Sequence, residues 1–233
     1  MNYFLILVRN DIRNIFRDKV LIIFCFLPVI MAVLMRFGFP LTVNYFPLIK
    51  DYRLYVLAIL CLVSVTGPAF LSSMIMLDEK DENLFTVLRV MPVSSGTFIL
   101  FRLLFITLLG FFASWVTIVF SETAGVNFFN AVLLSLQTGL TAPLITLLCI
   151  TLARNKVEGV TFLKGLNFLS MLPLVFIFAV PDWEYAGGII PFYWVYKAFG
   201  SIEIFTKMIV YSGIGVSVNL LFISWLYKKF QSI

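Results

Sequence analysis

Six long apolar runs constrain this sequence more than any other feature. A helix needs about 20 predominantly apolar residues to cross the hydrocarbon core of a bilayer. The runs cover residues 20–35, 54–77, 98–120, 128–152, 161–180 and 204–226, and no charged residue lies at the centre of any of them. The first run is short, so we expect that it is either extended by residues 37–39 or crosses with little tilt. The pattern predicts an all-α integral membrane protein in which residues 1–233 form one transmembrane domain with six spanning helices.

The amino-acid composition of the chain argues against several classes of function. Only 12% of the 233 residues are charged, whereas soluble domains carry about 25%. The chain has no histidine, which excludes histidine-based triads, zinc sites and proton relays. Cys25, Cys61 and Cys149 each lie inside an apolar run without metal-ligand or redox spacing, as apolar packing residues do. We therefore predict no catalytic residue, no metal ligand and no cofactor in this chain.

The basic residues predict the orientation of the spans. A chain with six spans has both termini on one side of the membrane, and most of the 17 Lys and Arg residues lie on that side. The positive-inside rule then places both termini in the cytoplasm. This distribution explains the net charge of +5 without a nucleic-acid partner. We expect a multi-pass protein of a cell membrane, specifically a bacterial plasma membrane.

Residues 1–19 have an amphipathic pattern. Leu5, Val8, Ile12 and Ile15 recur at spacings of three and four, and basic residues take the opposite helical face. This pattern predicts a helix that lies in the membrane interface with its basic face toward anionic headgroups. The alternative is a basic leader without a structural role.

Residues 78–95, between the second and third spans, begin with a cluster of charged residues. Asp78, Glu79, Asp81 and Glu82 come first, where the positive end of a helix dipole favours them. Apolar residues then recur at helical spacing, and Pro92 ends the helix. The pattern predicts a short amphipathic cytoplasmic helix that presents an apolar ridge to a partner. The alternative is a solvated loop.

The outer segment, residues 181–203, is rich in Trp and Tyr, and Gly187, Gly188 and Pro191 interrupt regular helix. We predict short interfacial or partly re-entrant helices here, so that a broken outer helix precedes the last span. The alternative is a plain aromatic belt at the headgroup level.

Polar residues within the spans are the candidates for a transport path. Intramembrane polar groups tend to face protein or a water-filled path. We single out Gln137 and Asn219 as possible lining residues of a substrate path. The alternative for such residues is a hydrogen bond between helices.

These features together resemble a known family, the type-2 permeases of ABC transporters, particularly small drug and peptide exporters. The resemblance covers nearly the whole chain, from the interfacial helix to the broken segment before the sixth span. In the most specific stretch, the residues that match the family pattern are Glu79, Lys80, Asp81, Glu82, Leu88, Pro92, Val93 and Ser94. Asn83 stands where Gly is common, and Leu84 and Thr86 replace residues that are more often polar and acidic. The outer-segment residues that look like drug exporters are Pro191, Tyr193, Trp194, Lys197, Ala198 and Phe199.

The resemblance implies that the helix after the second span is a coupling helix, which docks into a separate ATPase subunit. The chain has no G-x-x-x-x-G-K-S/T loop, so ATP and Mg²⁺ would bind to that partner. Six spans are half of the usual transporter, which implies two ATPase subunits and a second permease chain, identical or homologous. The residues assigned to the ATPase contact are Glu79, Asp81, Glu82, Leu84, Leu88, Arg89 and Pro92. The implied activity is ATP-driven export of a hydrophobic or amphipathic cargo, such as a drug, a peptide or a lipid-like molecule, from the cytoplasm or the inner leaflet.

Three other classes of function are weighed against this one. An ion-coupled transporter or channel would be expected to carry buried ionisable groups, and the spans offer none at mid-depth. An intramembrane enzyme without His would need a Ser–Lys or two-Asp site, and no Asp lies mid-span. A membrane-embedded immunity or scaffold protein would bind its partner without transport, and isolation together with an ATPase would exclude it.

Overall fold

The computed structural model describes residues 19–82, 95–123, 125–179 and 181–231. The predicted interfacial helix lies outside these residues except for Lys19. Of the predicted coupling segment, residues 78–82 and 95 are described, and residues 83–94 lie outside.

The secondary structure of the described residues is helical throughout. The first part of the chain forms α1 (Lys19–Val33), a π-helical turn (Leu34–Gly38), α2 (Phe39–Tyr45), a 3-10 helix (Pro47–Tyr52) and α3 (Arg53–Asp81). The middle part forms α4 (Ser95–Phe120), α5 (Phe128–Gly139), α6 (Thr141–Leu152), α7 (Lys156–Met171) and α8 (Pro173–Phe178). The last part forms a second 3-10 helix (Pro181–Ile189), α9 (Tyr193–Gly200) and α10 (Phe205–Gln231).

Six helical stretches are long and apolar enough to cross a membrane, which confirms the predicted fold class. They cover Ile22–Tyr45, Pro47–Asp81, Ile99–Phe120, Phe128–Leu152, Lys156–Phe178 and Phe205–Phe230. The first stretch continues through the π-helical turn well beyond residue 35, where the apolar run ends. The fourth stretch consists of α5 and α6, because Pro143 has no N–H to donate to the carbonyl of Gly139.

Helix α3 lies at the centre of the bundle and contacts α1, α4, α6, α7 and α9. Its middle section is buried and rich in small residues, which lets neighbouring helices approach closely. The rings of Phe24 in α1 and Phe70 in α3 stack with centroids 3.9 Å apart. On another side, the Thr146 hydroxyl of α6 donates to the carbonyl of Ala69 at 3.3 Å. The core of the bundle is therefore built around one helix.

Helices α4 and α5 cross with their backbones in contact. A Cβ atom added to Gly110 would lie 2.9 Å from the carbonyl oxygen of Gly139, and one added to Gly139 would lie 2.7 Å from the Phe111 nitrogen. Only glycine permits this approach at both positions, as in other close membrane-helix packings.

The spans alternate in direction, so the bundle has two ends, which we name after one residue each. At the Glu79 end, α3 and α6 finish, α4 and α7 begin, and the Tyr227 hydroxyl of α10 donates to the Gly96 carbonyl at 3.0 Å. At the Glu122 end, α4 finishes, and Arg36 forms an ion pair with Glu122 at 2.9 Å. The second 3-10 helix and α9 lie at this end, which confirms the predicted broken segment before the last span.

Candidate functional site

Three consecutive residues at the end of α3 contact three different helices. Asp78 pairs with Lys156 of α7, Glu79 with Arg102 of α4, and Lys80 with carbonyl groups at the end of α6. An α-helix turns by about 100° per residue, so adjacent side chains point toward different neighbours. We call these contacts the α3 junction.

The Glu79–Arg102 contact is the buried part of the junction. Both guanidinium NH₂ groups bind the carboxylate: Nη2 donates to Oε1 at 2.9 Å, and Nη1 donates to Oε2. The side chains are only 6% exposed for Arg102 and 17% for Glu79. A two-point pair of this kind fixes orientation as well as distance. The Arg102 side chain is directed into the bundle, where the Glu79 carboxylate neutralises its charge.

Lys80 binds the end of α6. Its Nζ donates to the carbonyls of Ile150 at 3.2 Å and Ala153 at 3.1 Å. The last carbonyls of a helix have no partner within the helix and carry partial negative charge. Lys80 thus caps α6 from a neighbouring helix.

The contact to α7 is more exposed. Lys156 Nζ lies 2.9 Å from Asp78 Oδ2, and both side chains are about half exposed. The start of α7 is fixed by its own cap, in which Asn155 accepts from the Glu158 N–H at 2.9 Å. Glu158 in turn accepts from the Arg154 N–H at 2.8 Å. The partner of Asp78 therefore stands on a well-anchored helix start.

The residues predicted to contact an ATPase do not share one environment. Asp81 and Glu82 are exposed at the end of α3, and Glu79 points into the bundle. Leu84, Leu88, Arg89 and Pro92 lie outside the described residues.

The two residues predicted to line a path come together around one glycine. Asn219 Nδ2 donates to the Gly215 carbonyl at 2.8 Å, and the Gln137 amide lies against the Cα of Gly215. Ser212, Gly215 and Asn219 share one face of α10, and all of them are buried. We call Gln137, Ser212, Gly215 and Asn219 the polar seam between α5 and α10.

The polar seam is incompletely hydrogen-bonded. Neither amide atom of Gln137 has a hydrogen-bond partner among the described residues, and the same holds for Ser212 Oγ and Asn219 Oδ1. Buried polar atoms are normally paired, since leaving one unpaired costs about 1–3 kcal/mol. A further polar group, or a change in helix packing that exposes the seam, would therefore be favourable for these atoms.

The outer segment packs into the bundle. Helix α9 lies against α3 and α10, with Tyr193, Tyr196 and Phe199 fully buried. Burial raises the pKa of the Tyr196 phenol well above its usual range. Trp194 Nε1 donates to the Gly188 carbonyl at 2.9 Å and so ties α9 to the preceding 3-10 helix. The aromatic residues of this segment close the end of the bundle.

An apolar groove lies on the lipid-facing side of the first span. Its volume is about 330 Å³, and its walls are Val29, Ala32, Val33, Phe37, Val116 and Phe120. Arg36 also lines the groove, and its guanidinium carbon lies 5.6 Å from the centre of the Phe37 ring. An acyl chain or another apolar group fits this chemistry.

The ion pair of Arg36 could not be predicted from the sequence. A basic residue at the end of an apolar run is typical of a span boundary, and the partner Glu122 lies in a distant loop. For Arg102 a signal did exist, because Glu79 and Arg102 flank the same connection between consecutive spans. Charges at such facing positions can pair across the two helices.

Comparison with known proteins gives two consistent findings. The sequence model of a family described as "Fluoroquinolones export permease protein Rv2686c-like" matches residues 11–227. The fluoroquinolones export permease proteins Rv2686c and MT2760, from two strains of Mycobacterium tuberculosis, are each 30% identical to the chain. Each alignment covers 96% of this chain and 92% of the relative. No solved structure matches the chain.

Proposed function

Since the chain belongs to the family of Rv2686c-like fluoroquinolone export permeases, we propose that it is the membrane subunit of an ATP-driven ABC exporter. The family makes it a multi-pass export permease rather than an enzyme. The proposal adds the energy source: two copies of a separate ABC ATPase, which bind ATP and Mg²⁺, and a second permease chain, identical or homologous.

The observation that carries this proposal is the α3 junction. Helix α3 has 29 residues, more than a bilayer requires, and it ends in exposed carboxylates next to a junction of four helices. A partner that moves this end would act on α3, α4, α6 and α7 together. The proposed docking surface consists of Asp81, Glu82, Leu84, Leu88, Arg89 and Pro92, on the cytoplasmic side.

The proposed cargo is a hydrophobic or amphipathic molecule. The relatives are named for fluoroquinolones, which makes a fluoroquinolone the first compound to test. The proposed path runs along the polar seam, where Gln137 and Asn219 would meet the cargo after α5 and α10 separate. The uncompensated amide atoms of the seam support this assignment.

The test uses inverted membrane vesicles that contain this chain with or without a candidate ABC ATPase from the same organism. We expect fluoroquinolone uptake that requires ATP, both proteins and a functional ATPase active site. An ATPase variant without its catalytic carboxylate is the control for nucleotide binding alone. Uptake by the permease without the ATPase would reject the ATP-driven mechanism and favour an ion-coupled transporter. A chain that reaches the membrane but neither binds an ATPase nor supports uptake would favour a scaffold.

A further inference from the structure

We infer that Glu79 and Arg102 are positioning residues that transmit the movement of the docking surface into the bundle, and that Glu79 does not itself contact the ATPase. This inference rests on the proposed function and changes one part of it. The sequence places Glu79 with Asp81 and Glu82 as an acidic docking cluster. In the structure, Glu79 is directed into the bundle, whereas Asp81 and Glu82 are exposed.

The Glu79 side chain is directed toward Arg102 inside the bundle. Its carboxylate is occupied by both NH₂ groups of Arg102, and the pair is largely shielded from solvent. A partner that bound Glu79 would have to separate it from Arg102, and breaking a buried ion pair is strongly unfavourable. Asp81 and Glu82 are exposed, so a partner can reach them without such a change.

Glu79 and Arg102 lie on either side of the docking segment along the chain. Glu79 lies two residues before Asp81, the first residue of the docking surface, and Arg102 is in the first turns of α4, which follows it. The pair therefore joins the two helices that enter and leave the docking segment. A displacement of that segment cannot move the end of α3 without also moving the start of α4.

The end of α3 is also in contact with α6 and α7, so its movement would reach these helices. Lys80 holds the end of α6 through two carbonyls, and Asp78 holds the start of α7 through Lys156. Helix α6 packs against α10, whose buried face carries the polar seam. The α3 junction thus provides a continuous set of contacts from the docking surface to the interface between α5 and α10.

The contact between α3 and α4 is a charged pair rather than an apolar contact, and this difference matters for transmission. An apolar contact would hold α3 against α4 without fixing direction, because dispersion contacts are non-directional. A two-point guanidinium–carboxylate pair resists rotation of one helix relative to the other. Glu79 and Arg102 are therefore suited to transmit movement between helices.

The experiment uses the complete permease–ATPase complex in proteoliposomes. The variants are Glu79→Gln, Arg102→Gln, Arg102→Lys and the exchanged pair Glu79→Arg with Arg102→Glu. Asp78→Asn and Asp81→Asn are the matched controls for the exposed pair and for the docking surface. Three quantities are measured for each variant: recovery of the ATPase with the permease, the ATP hydrolysis rate, and cargo transported per ATP hydrolysed.

We expect the two glutamine variants to retain ATPase recovery and to transport less cargo per ATP by at least about five-fold, the lower end of typical coupling strengths. Arg102→Lys, which keeps the charge but loses the two-point geometry, is expected to lie between these variants and the native chain. The exchanged pair is expected to restore part of the loss. Asp81→Asn is expected to lower ATPase recovery instead. Asp78→Asn removes the half-exposed contact of the same junction and is expected to lower transport per ATP less than the glutamine variants do.

Two results would overturn the inference while leaving the proposed function intact. One is unchanged transport per ATP in Arg102→Lys and both glutamine variants. The other is a loss of ATPase recovery in Glu79→Gln that the exchanged pair does not restore, which would assign Glu79 to the ATPase contact. If the glutamine variants do not reach the membrane, Arg102→Lys and the exchanged pair decide between these outcomes. Failure of the native chain to bind or stimulate any ATPase would instead reject the proposed function.

Discussion

The Gln137 side-chain amide occupies the space into which a side chain at Gly215 would project. Gln137 lies in the fourth span and Gly215 in the sixth, and Asn219 binds the carbonyl of the same glycine. A third helix takes part, because a Cβ atom on Gly215 would also lie 2.9 Å from the Cβ of Trp194 in α9. Three helices therefore meet at a residue without a side chain.

This contact predicts that Gly215→Ala destabilises the protein. The Gln137 amide is the flexible end of its side chain and can move, but the Trp194 Cβ cannot, so α10 must shift outward. Overpacking of this kind costs about 1–3 kcal/mol, which exceeds the roughly 1 kcal/mol that alanine gains over glycine in a helix. Thermal unfolding in detergent measures the effect. Gly213→Ala is the control, since its added Cβ meets nothing within 4 Å, and it is expected to leave stability equal or higher.

A second prediction concerns Gln137→Met, a change of similar volume. Removing a buried amide without hydrogen-bond partners should leave the unfolding temperature unchanged or raise it. If the seam meets the cargo, the same change should lower ATP-dependent transport by about ten-fold, equivalent to about 1.4 kcal/mol. Leu136→Met, at an adjacent and exposed position, is expected to alter neither quantity. Normal transport by Gln137→Met would remove Gln137 from the proposed path.

A third prediction separates the two ion pairs of the α3 junction by their burial. Arg102→Met leaves the Glu79 carboxylate buried without its cation, and loss of one partner from a buried pair costs about 3–5 kcal/mol. Lys156→Met removes a half-exposed pair, for which about 0–1 kcal/mol is expected. Thermal unfolding of the two variants in the same detergent gives the comparison.

The double variant Arg102→Met with Glu79→Met tests the cause of that loss. It removes both charges together and should recover much of the stability lost by Arg102→Met, because the uncompensated charge is then absent. A double variant as unstable as the single one would show that packing of the Arg102 chain, rather than its charge, stabilises this contact.

A fourth prediction concerns orientation. In a background where the native cysteines are replaced, Asn155→Cys reports on the Glu79 end and Glu203→Cys on the Glu122 end, and both positions are exposed. We expect a membrane-impermeant maleimide to label residue 203 in intact cells, and residue 155 only after the membrane is permeabilised. The reverse pattern would place the docking surface outside the cell, away from ATP, and would contradict the exporter proposal.

The number and place of the spans could be predicted from the sequence, because crossing a bilayer depends on a local property, the length of an apolar run. One span end differs from the prediction. The apolar run stops at Arg36, but helical structure continues through this residue to Tyr45. Arg36 pairs there with Glu122, a residue far along the chain.

For the polar residues, too, the sequence indicated which residues matter but not which neighbours they contact. Gln137 and Asn219 could be selected from the sequence because polar groups are rare within spans. That they share Gly215, and that Glu79 points toward Arg102 while Asp81 and Glu82 are exposed, could not be read from either segment alone. Similar spacing on a helix does not specify which neighbour each face meets.

The sequence by itself determined that this chain crosses the membrane six times as helices, because lipid leaves a long apolar segment few other ways to satisfy its backbone. The tertiary structure alone decided which charges pair and which remain available to a partner. Such pairing depends on helix rotation and crossing, which small residues such as Gly110 and Gly139 set by the closeness of the backbones they allow.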